Sequence, residues 1–202
     1  MFVSFEGVDG AGKSTQAELL AGALGTETVL VREPGGTPAG ERLRELLKDP
    51  GVALDPRAEL LLFLAARAQL VEAVIRPALE AGRDVVCDRF MDSTVAYQGV
   101  ARGLGAETVR ELNAVAVAGC VPDRTLLLAL DAGRAAGRGE ARGDFGADRF
   151  EGAGEDFRGK VAAAFAEIAT AEPERVTVVD GSGTEAEVHG RVLAALGLGP
   201  AG

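Results

Sequence analysis

Residues 7–15 read GVDGAGKST, and this stretch decides the fold. It follows a short apolar segment, Phe2–Phe5, and it precedes a segment, Lys13–Leu24, whose composition suits a helix. Its glycines let the backbone curl, so that amide N–H groups and the N-terminus of the following helix point at one centre. The spacing fits the pattern G-x-x-x-x-G-K-[ST], in the strand, loop and helix setting that a phosphate-binding loop requires.

The residue types of this phosphate loop suit a nucleoside triphosphate bound with magnesium. Lys13 adds positive charge near the outer phosphates, and the hydroxyl of Ser14 can ligate Mg²⁺. A glycine turn that only joins a strand to a helix would need neither side chain at these positions. Asp9 is unexpected, because a carboxylate repels phosphate. The residues predicted to bind ATP are Gly7, Val8, Asp9, Gly10, Ala11, Gly12, Lys13, Ser14 and Thr15.

Four further apolar segments alternate with helix-compatible sequence. They are Thr28–Val31, Asp84–Cys87, Thr125–Leu130 and Arg175–Val179. This alternation predicts an α/β fold, with a parallel sheet that carries helices on both faces, and the length suits one domain over residues 1–202. The predicted helices are Lys13–Leu24, Pro38–Lys48, Asp55–Ala81, Ser93–Gln98, Ala106–Ala118, Glu155–Ala171 and Thr184–Leu196.

Composition excludes several classes of protein. The net charge is −10, which disfavours a general nucleic-acid binder, because the phosphate backbone attracts a basic field. No apolar run is long enough to span a membrane, and no basic secretory leader is evident, so we expect a cytoplasmic protein. Cys87 and Cys120 lie in apolar contexts typical of buried thiols, and a single histidine makes a zinc cluster improbable.

A phosphate loop leaves three classes open: a switch GTPase, a motor-type ATPase and a kinase for a small acceptor. The segment Asn-Lys-x-Asp, which reads guanine in switches, is missing, because the only asparagine, Asn113, is followed by Ala-Val-Ala. Many ATPases place a second acid beside the aspartate that binds magnesium. Here Asp88 is followed by Arg89, which indicates that a second anion is held at that position.

Charged residues also follow the second predicted strand. Arg32, Glu33 and Pro34 should emerge at the same sheet edge as the phosphate loop and Asp88, because parallel strands end together. Arg32 and Arg89 could hold a phosphate between them, while Asp88 or Glu33 reaches magnesium directly or through water. Each of these residues alone could instead form an ordinary surface ion pair.

Phe63 and Arg67 lie four residues apart in the long predicted helix and therefore on one face. A base stacked on Phe63 could accept a hydrogen bond from Arg67. Periodicity by itself favours another interpretation, in which Phe63 lies in the core with Leu60, Leu64 and Val71. Arg67 then extends outward to solvent.

Five blocks of sequence bear on these alternatives: GVDGAGKSTQ, REPGGT from Arg32, FLAARAQ from Phe63, DRFMDSTVAYQG from Asp88 and DRFE from Asp148. In their order and spacing, these blocks together resemble the thymidylate kinase family. The resemblance implies a nucleoside monophosphate kinase fold with a five-stranded parallel sheet and a mobile lid, usually dimeric. It implies transfer of the γ-phosphoryl group of ATP to dTMP, with Mg²⁺ as cofactor, in dTTP biosynthesis. A nucleotide-driven switch and a kinase for another nucleotide or nucleoside are the alternatives.

The resemblance also implies roles for single residues. Phe63 would stack on thymine, and Arg67 would bond its exocyclic oxygen. Gln98 and Thr94 would lie near the polar edge of the base, and Tyr97 against the sugar. Asp9 would contact the sugar 3′-hydroxyl, which is reasonable because a carboxylate accepts what a hydroxyl donates. Arg32, Arg44 and Arg89 would bind the acceptor phosphate, Glu33 and Pro34 would border it, and Ser14 and Asp88 would hold magnesium.

The remaining catalytic charge is expected from the lid, residues 133–151. Some relatives carry a basic residue in the phosphate loop, where this chain has Gly10, and others supply an arginine from the lid. Arg142 is the first candidate, followed by Arg138 and Arg149. Lys13, Asp9, Arg89 and Arg142 are thus the predicted catalytic residues.

Overall fold

A five-stranded parallel sheet forms the centre of the described part of the molecule. The computed structural model describes residues 1–130 and 154–199. The strands are β1 (Phe2–Glu6), β2 (Val29–Arg32), β3 (Val85–Asp88), β4 (Arg124–Ala129) and β5 (Val176–Asp180), in the order β2-β3-β1-β4-β5. The helices are α1 (Lys13–Leu24), α2 (Pro38–Lys48), α3 (Pro56–Leu70), α4 (Arg76–Glu80), α5 (Met91–Thr94), α6 (Ala106–Val117), α7 (Glu155–Ala171) and α8 (Glu185–Ala195). The predicted fold class is confirmed.

The strand register brings three strand ends to one level. Asp88 of β3 is paired with Phe5 of β1 on one side and with Arg32 of β2 on the other. The segments that follow β1, β2 and β3 therefore leave the sheet at the same edge, where ligands of open α/β sheets bind. This edge is where the sequence places the phosphate loop and the arginines.

Alternate strand residues bury opposite faces of the sheet. Val3 and Phe5 pack on one face with Leu20 of α1 and Val192 of α8. Phe2 lies on the other face, in a cluster that includes residues of α3 and α4. Both faces of the sheet are thus covered, as the apolar character of the strands predicts.

The long helix predicted over Asp55–Ala81 contains a π-helical turn. Asp55 is its N-cap and accepts a hydrogen bond from the backbone N–H of Arg57. After α3, a π-helical turn over Val71–Ile75 leads into α4. Pro77 lies at the start of α4 and has no N–H to donate, so the regular ladder of hydrogen bonds cannot continue through it. The helical path is continuous over residues 56–80, close to the predicted range, but the π-helical turn within it was not predicted.

The short helix predicted over Ser93–Gln98 is longer than expected. It begins at Met91 and continues as a π-helical segment over Val95–Ala101. Gly99 lies inside it, and a Cβ there would come within 3.2 Å of the Cα of Ala106. The glycine therefore permits close approach of α6 and does not end the helix.

The predicted lid, residues 133–151, lies outside the described residues, together with Arg138, Arg142 and Arg149. The single-domain assignment over 1–202 and the lid remain predictions.

Candidate active site

The phosphate loop turns sharply between β1 and α1. Gly7, Gly10 and Gly12 all have positive φ, and a Cβ on Gly7 would lie 2.6 Å from the backbone oxygen of Leu128. Gly12 is the N-cap of α1 and brings no side chain to cap it. The first N–H groups of α1 are thus available to an anion, and Lys13 adds its charge at the same point.

Lys13 is buried within the loop. Its Nζ donates a hydrogen bond to the carbonyl oxygen of Val8 at 2.8 Å. Burial, together with repulsion from Arg89, lowers the pKa of Lys13 to about 8. A phosphate group at the loop would offset both effects, so ligand binding favours the charged lysine.

Ser14 and Asp88 meet at the ends of α1 and β3. The Ser14 hydroxyl donates to Oδ2 of Asp88 at 2.5 Å. Oδ1 of Asp88 is buried and has no hydrogen-bond partner among residues 1–130 and 154–199. A hydroxyl beside a carboxylate with an unpartnered oxygen fits Mg²⁺, which prefers hard oxygen ligands. No group of three acidic, histidine or cysteine side chains gathers in the described residues, so phosphate oxygens and water would complete such a site.

Asp9, Arg89 and Tyr97 form a second cluster, across the loop from Lys13. The guanidinium of Arg89 pairs with one carboxylate oxygen of Asp9, and the Tyr97 hydroxyl donates to the other at 3.0 Å. Burial acts to raise the pKa of Asp9, but Arg89, Lys13 and the hydrogen bonds outweigh it and hold that pKa below its ordinary value. Asp9 is therefore an ionised acceptor whose two oxygens are turned to Arg89 and Tyr97.

Arg89 is held firmly in an unusual backbone conformation. Its φ is +68, a region that non-glycine residues rarely adopt, and such conformations are concentrated at functional sites. Nη1 donates to the Gly7 carbonyl at 3.0 Å and to the Ser93 hydroxyl at 2.9 Å. The guanidinium also lies 5.2 Å from the centre of the Tyr97 ring. The turn after β3 thus directs a fixed cation across the phosphate loop.

Glu6 lies behind this cluster, and the sequence analysis did not single it out. Its Oε1 accepts from the backbone N–H groups of Phe90 and Ser93, at 2.9 and 3.1 Å, and its Oε2 accepts from the Ser93 hydroxyl. Burial, followed by repulsion from Asp92, raises the pKa of Glu6 to about 7. An acid at the end of an otherwise apolar buried strand was the signal that could have indicated this role.

Arg32 and Arg44 meet at the carbonyl of Pro34. Arg32 Nη1 donates to it at 3.3 Å and Arg44 Nη1 at 2.9 Å. Glu41 of α2 closes the loop, because it accepts from Arg32 and from the backbone N–H of Gly36. The Glu33–Pro34 peptide bond is cis. Two of the three predicted acceptor cations therefore converge on one loop, beside the strand that carries Arg89.

Arg67 is fully buried, so the interpretation in which it extends to solvent was wrong. Its guanidinium bonds both carboxylate oxygens of Glu33, and Nη1 donates to Asn113 at 2.6 Å. Nη2 also donates to the Thr94 hydroxyl at 2.8 Å. Glu33 is thus committed to Arg67, which leaves Asp88 as the acid beside Ser14. Asn113, which served only to disfavour a guanine switch, is one of the partners that fix Arg67.

Gln98 belongs to a neighbouring buried network. Its Nε2 donates to Oε1 of Glu59 at 2.8 Å, and Arg102 pairs with the other oxygen of Glu59 at 3.2 Å. Phe63 is half-buried on α3, midway between Glu59 and Arg67 in the sequence. The structure therefore brings Phe63, Arg67 and Gln98 to one region, as predicted for the base, and it adds Glu59 and Arg102.

The loop after β5 also borders the phosphate loop. A Cβ on Gly181 would lie 3.5 Å from the carbonyl oxygen of Ala11, and Gln16 of α1 donates to the carbonyl of Glu185 at 3.0 Å. The sequence Asp-Gly-Ser-Gly over 180–183 is a turn signal at the carboxyl end of a strand, which could have indicated its place.

These features together define a nucleoside monophosphate kinase: a parallel α/β sheet, a phosphate loop with a magnesium-compatible pair, and a second set of cations across a crevice. The profile of one family, described as Thymidylate kinase, matches residues 5–192. The chain belongs to the thymidylate kinase family, and it is an ATP-dependent kinase of this class.

Similar proteins extend over nearly the whole chain. It is 50% identical over 200 residues to a thymidylate kinase of Rhizorhabdus wittichii, covering 96% of both chains. It is 43% identical over 199 residues to one of Deinococcus radiodurans, covering 97% of this chain and 96% of that one. A solved structure of thymidylate kinase from Ehrlichia chaffeensis superposes with a TM-score of 0.81 at 34% identity, covering 98% of each chain.

No helix of the described residues combines the length and apolar character that crossing a bilayer requires.

Proposed function

We propose that this chain transfers the γ-phosphoryl group of ATP to dTMP, giving dTDP and ADP, as a step in dTTP biosynthesis. The observation that carries the proposal is the position of Arg32, Arg44 and Arg89 in the crevice beside the phosphate loop. An acceptor without a phosphate would not need three cations there. Family membership points to dTMP as that acceptor.

The proposed catalysis is alignment and neutralisation of charge. The amides of the phosphate loop and Lys13 hold the outer phosphates of ATP, while Arg89 faces them from the acceptor side. Mg²⁺ held by Ser14 and Asp88 would supply further neutralisation of the phosphate charge when bound. Asp9 accepts from the sugar 3′-hydroxyl and keeps Arg89 in place. The loop after β5, which borders the phosphate loop at Gly181, is proposed to contact the donor nucleotide beyond its phosphates.

The base is proposed to stack on Phe63, with Arg67 and Thr94 near its exocyclic oxygen and Gln98 near its ring nitrogen. Tyr97 would contact the sugar, with Glu33 and Pro34 bordering the acceptor. Gly10 has no side chain to supply charge, so the lid arginine, with Arg142 first, is proposed to complete the site.

We also propose a cytoplasmic homodimer. Leu61 of α3 is 57% exposed and Val115 of α6 is 78% exposed. These two helices pack against each other, and exposed apolar side chains on neighbouring helices favour association with a second copy.

Release of ADP tests the reaction. The protein is incubated with ATP and Mg²⁺ and with dTMP, UMP, CMP or AMP in turn. Fastest turnover with dTMP supports the proposal, and faster turnover with another monophosphate contradicts it. A nucleotide-driven switch predicts a different result, namely hydrolysis of ATP or GTP that dTMP does not stimulate.

A further inference from the structure

Two buried hydrogen bonds connect α3 with the helical segment that begins at Met91. Arg67 donates one to the Thr94 hydroxyl, and Gln98 donates the other to Glu59. Glu59, Phe63 and Arg67 follow at intervals of four residues and share one face of α3. Phe63 therefore lies between these two hydrogen bonds along α3. A base stacked on it would have Arg67 and Gln98 as its polar neighbours.

Arg67 and Gln98 differ in the hydrogen bonds that they can form. A guanidinium such as Arg67 only donates, whereas the amide of Gln98 carries a donor end and an acceptor end. Rotation of the amide by half a turn would exchange them. Arg67 together with an acceptor fits a base edge with a carbonyl beside a ring N–H, as in thymine and uracil. With the amide reversed, Gln98 would instead suit the unprotonated ring nitrogen of cytosine.

Glu59 fixes the orientation of the Gln98 amide. Its carboxylate lies 2.8 Å from Nε2 of Gln98, and because a carboxylate only accepts, the amino end of the amide has to face it. Oε1 of Gln98 is then the end turned away from Glu59. Arg102 donates to both oxygens of Glu59, from Nε to Oε1 at 3.3 Å and from Nη2 to Oε2 at 3.2 Å, which holds the carboxylate in place. Its guanidinium lies 5.0 Å from the centre of the Phe157 ring.

We propose that Glu59 is a positioning residue that determines base specificity, because it orients the Gln98 amide to accept a hydrogen bond from the ring N–H of the base. This inference rests on the proposed function, since it takes a pyrimidine monophosphate as the acceptor. It assigns part of the selection against cytosine to a side chain that does not touch the base, in addition to Arg67, whose donors do not suit the exocyclic amino group of cytosine.

The experiment compares Glu59→Gln with the wild type on dTMP, dUMP and dCMP. A glutamine at position 59 can donate as well as accept, so the amide of Gln98 is free to turn. In the wild-type enzyme, bound dCMP leaves a polar group of the pocket unpaired, and Glu59→Gln removes this penalty. The ratio of kcat/KM for dTMP to that for dCMP should therefore fall about tenfold, mainly through KM. The ratio of dTMP to dUMP should stay unchanged, because these two bases present the same polar edge. A general loss of structure would lower activity on all three substrates alike and would leave both ratios unchanged.

A double variant tests whether the effect passes through Gln98. In a Gln98→Leu background, Glu59→Gln should leave the ratio of dTMP to dCMP unaltered. If the ratio changes equally in both backgrounds, or if Glu59→Gln keeps the wild-type ratio, the inference is wrong. Glu59→Asp keeps an acceptor-only group, and it should retain more of the selectivity than Glu59→Gln if the folded protein tolerates both.

Failure of the proposed function gives a different pattern. A wild-type enzyme that does not prefer dTMP to dCMP contradicts the proposed function itself. A wild-type enzyme that prefers dTMP, with a Glu59→Gln variant equally selective, contradicts only the role of Glu59.

Discussion

At the scale of single residues, the site depends on how Arg89 is held. Asp9, Gly7, Ser93 and Tyr97 all contact its guanidinium, and the positive φ of the backbone directs it across the phosphate loop. A planar fork satisfies several partners at once, whereas an ammonium group on a flexible stem does not. The identity of the cation, and not only its charge, should therefore matter.

We expect Arg89→Lys to lower kcat about 100-fold, the typical effect of removing one fixed group that stabilises charge in the transition state. Arg83 provides the matched control, because it is exposed just before the amino end of the same strand. Arg83→Lys should have wild-type kinetics. Steady-state rates with dTMP and ATP measure both, and an Arg89→Lys enzyme with unchanged kcat would contradict the role of Arg89.

The pH dependence of ATP binding should report Lys13. Burial, with repulsion from Arg89, sets the pKa of Lys13 to about 8 in the free protein. Because phosphate binds the charged form, affinity for a non-hydrolysable ATP analogue should fall as the pH rises through this value, by up to about tenfold per unit. Burial raises the pKa of Tyr97 above its ordinary value, so the phenol does not titrate in this range.

Burial and repulsion from Asp92 raise the pKa of Glu6 to about 7, so its ionisation overlaps that of Lys13, and calorimetric titrations of the wild type are compared with Lys13→Met, which keeps Glu6. Lys13→Met should bind the analogue more weakly and should lack the fall in affinity around pH 8. A flat profile for the wild-type protein would show that Lys13 does not titrate there.

Residues of the phosphate loop could be predicted from sequence because their roles are local. Lys13 and Ser14 follow a glycine pattern that fixes their geometry within a single turn. The burial of Arg67 could not be predicted in that way. Its burial depends on Glu33 and Asn113, which are remote in sequence, and periodicity cannot show that a charged side chain will be paired inside the protein.

At the scale of elements, the predicted bounds of α1, α2 and α7 agree with the observed ones. Thr37 accepts from the backbone N–H of Gly40 at 2.9 Å and Pro38 opens α2, so the predicted and observed bounds of α2 agree. The π-helical segments were not predicted, because their wider turns follow from tertiary packing and from Pro77. The existence of these elements was thus predictable, and the π-helical segments within two helices were not.

Removal of the Thr37 cap should affect both stability and the acceptor site. Thr37→Ala is expected to cost about 1 kcal/mol in the free energy of unfolding. It should also raise KM for dTMP more than it lowers kcat, since α2 carries Glu41 and Arg44, which hold the loop at Pro34. Denaturant unfolding and steady-state kinetics measure the two effects.

Thr184→Ala is the matched control for this prediction. Thr184 caps α8 through a hydrogen bond from the backbone N–H of Glu187, and α8 is not part of the acceptor site. It should lose similar stability and keep the wild-type KM for dTMP. Equal changes of this KM in both variants would attribute the Thr37→Ala effect to stability alone.

At the scale of the whole molecule, the strand order was not predictable from the sequence. Alternating strands and helices predict a parallel sheet, but the order β2-β3-β1-β4-β5 depends on contacts between distant segments. This order places β3 between β1 and β2, and it therefore brings Asp88 and Arg89 between the phosphate loop and Arg32. The crevice is a property of the sheet and not of any one motif.

Association of two copies should depend on the exposed apolar side chains of α3 and α6. Val115→Asp places a charge where an interface would bury it, so we expect a monomer at concentrations where the wild-type protein is a dimer. Leu19→Asp on α1, where Leu19 is 39% exposed, should leave the dimer intact. Sedimentation velocity distinguishes these states, and a wild-type monomer would contradict the proposed dimer.

The central claim is phosphoryl transfer to dTMP, and direct detection of the product tests it best. The protein is incubated with dTMP, Mg²⁺ and ATP labelled in the γ-phosphoryl group, and the nucleotides are separated. We predict label in dTDP in amounts equal to the ADP formed, and no labelled dTDP with Lys13→Met. Label that appears only as inorganic phosphate, at a rate independent of dTMP, would contradict the claim.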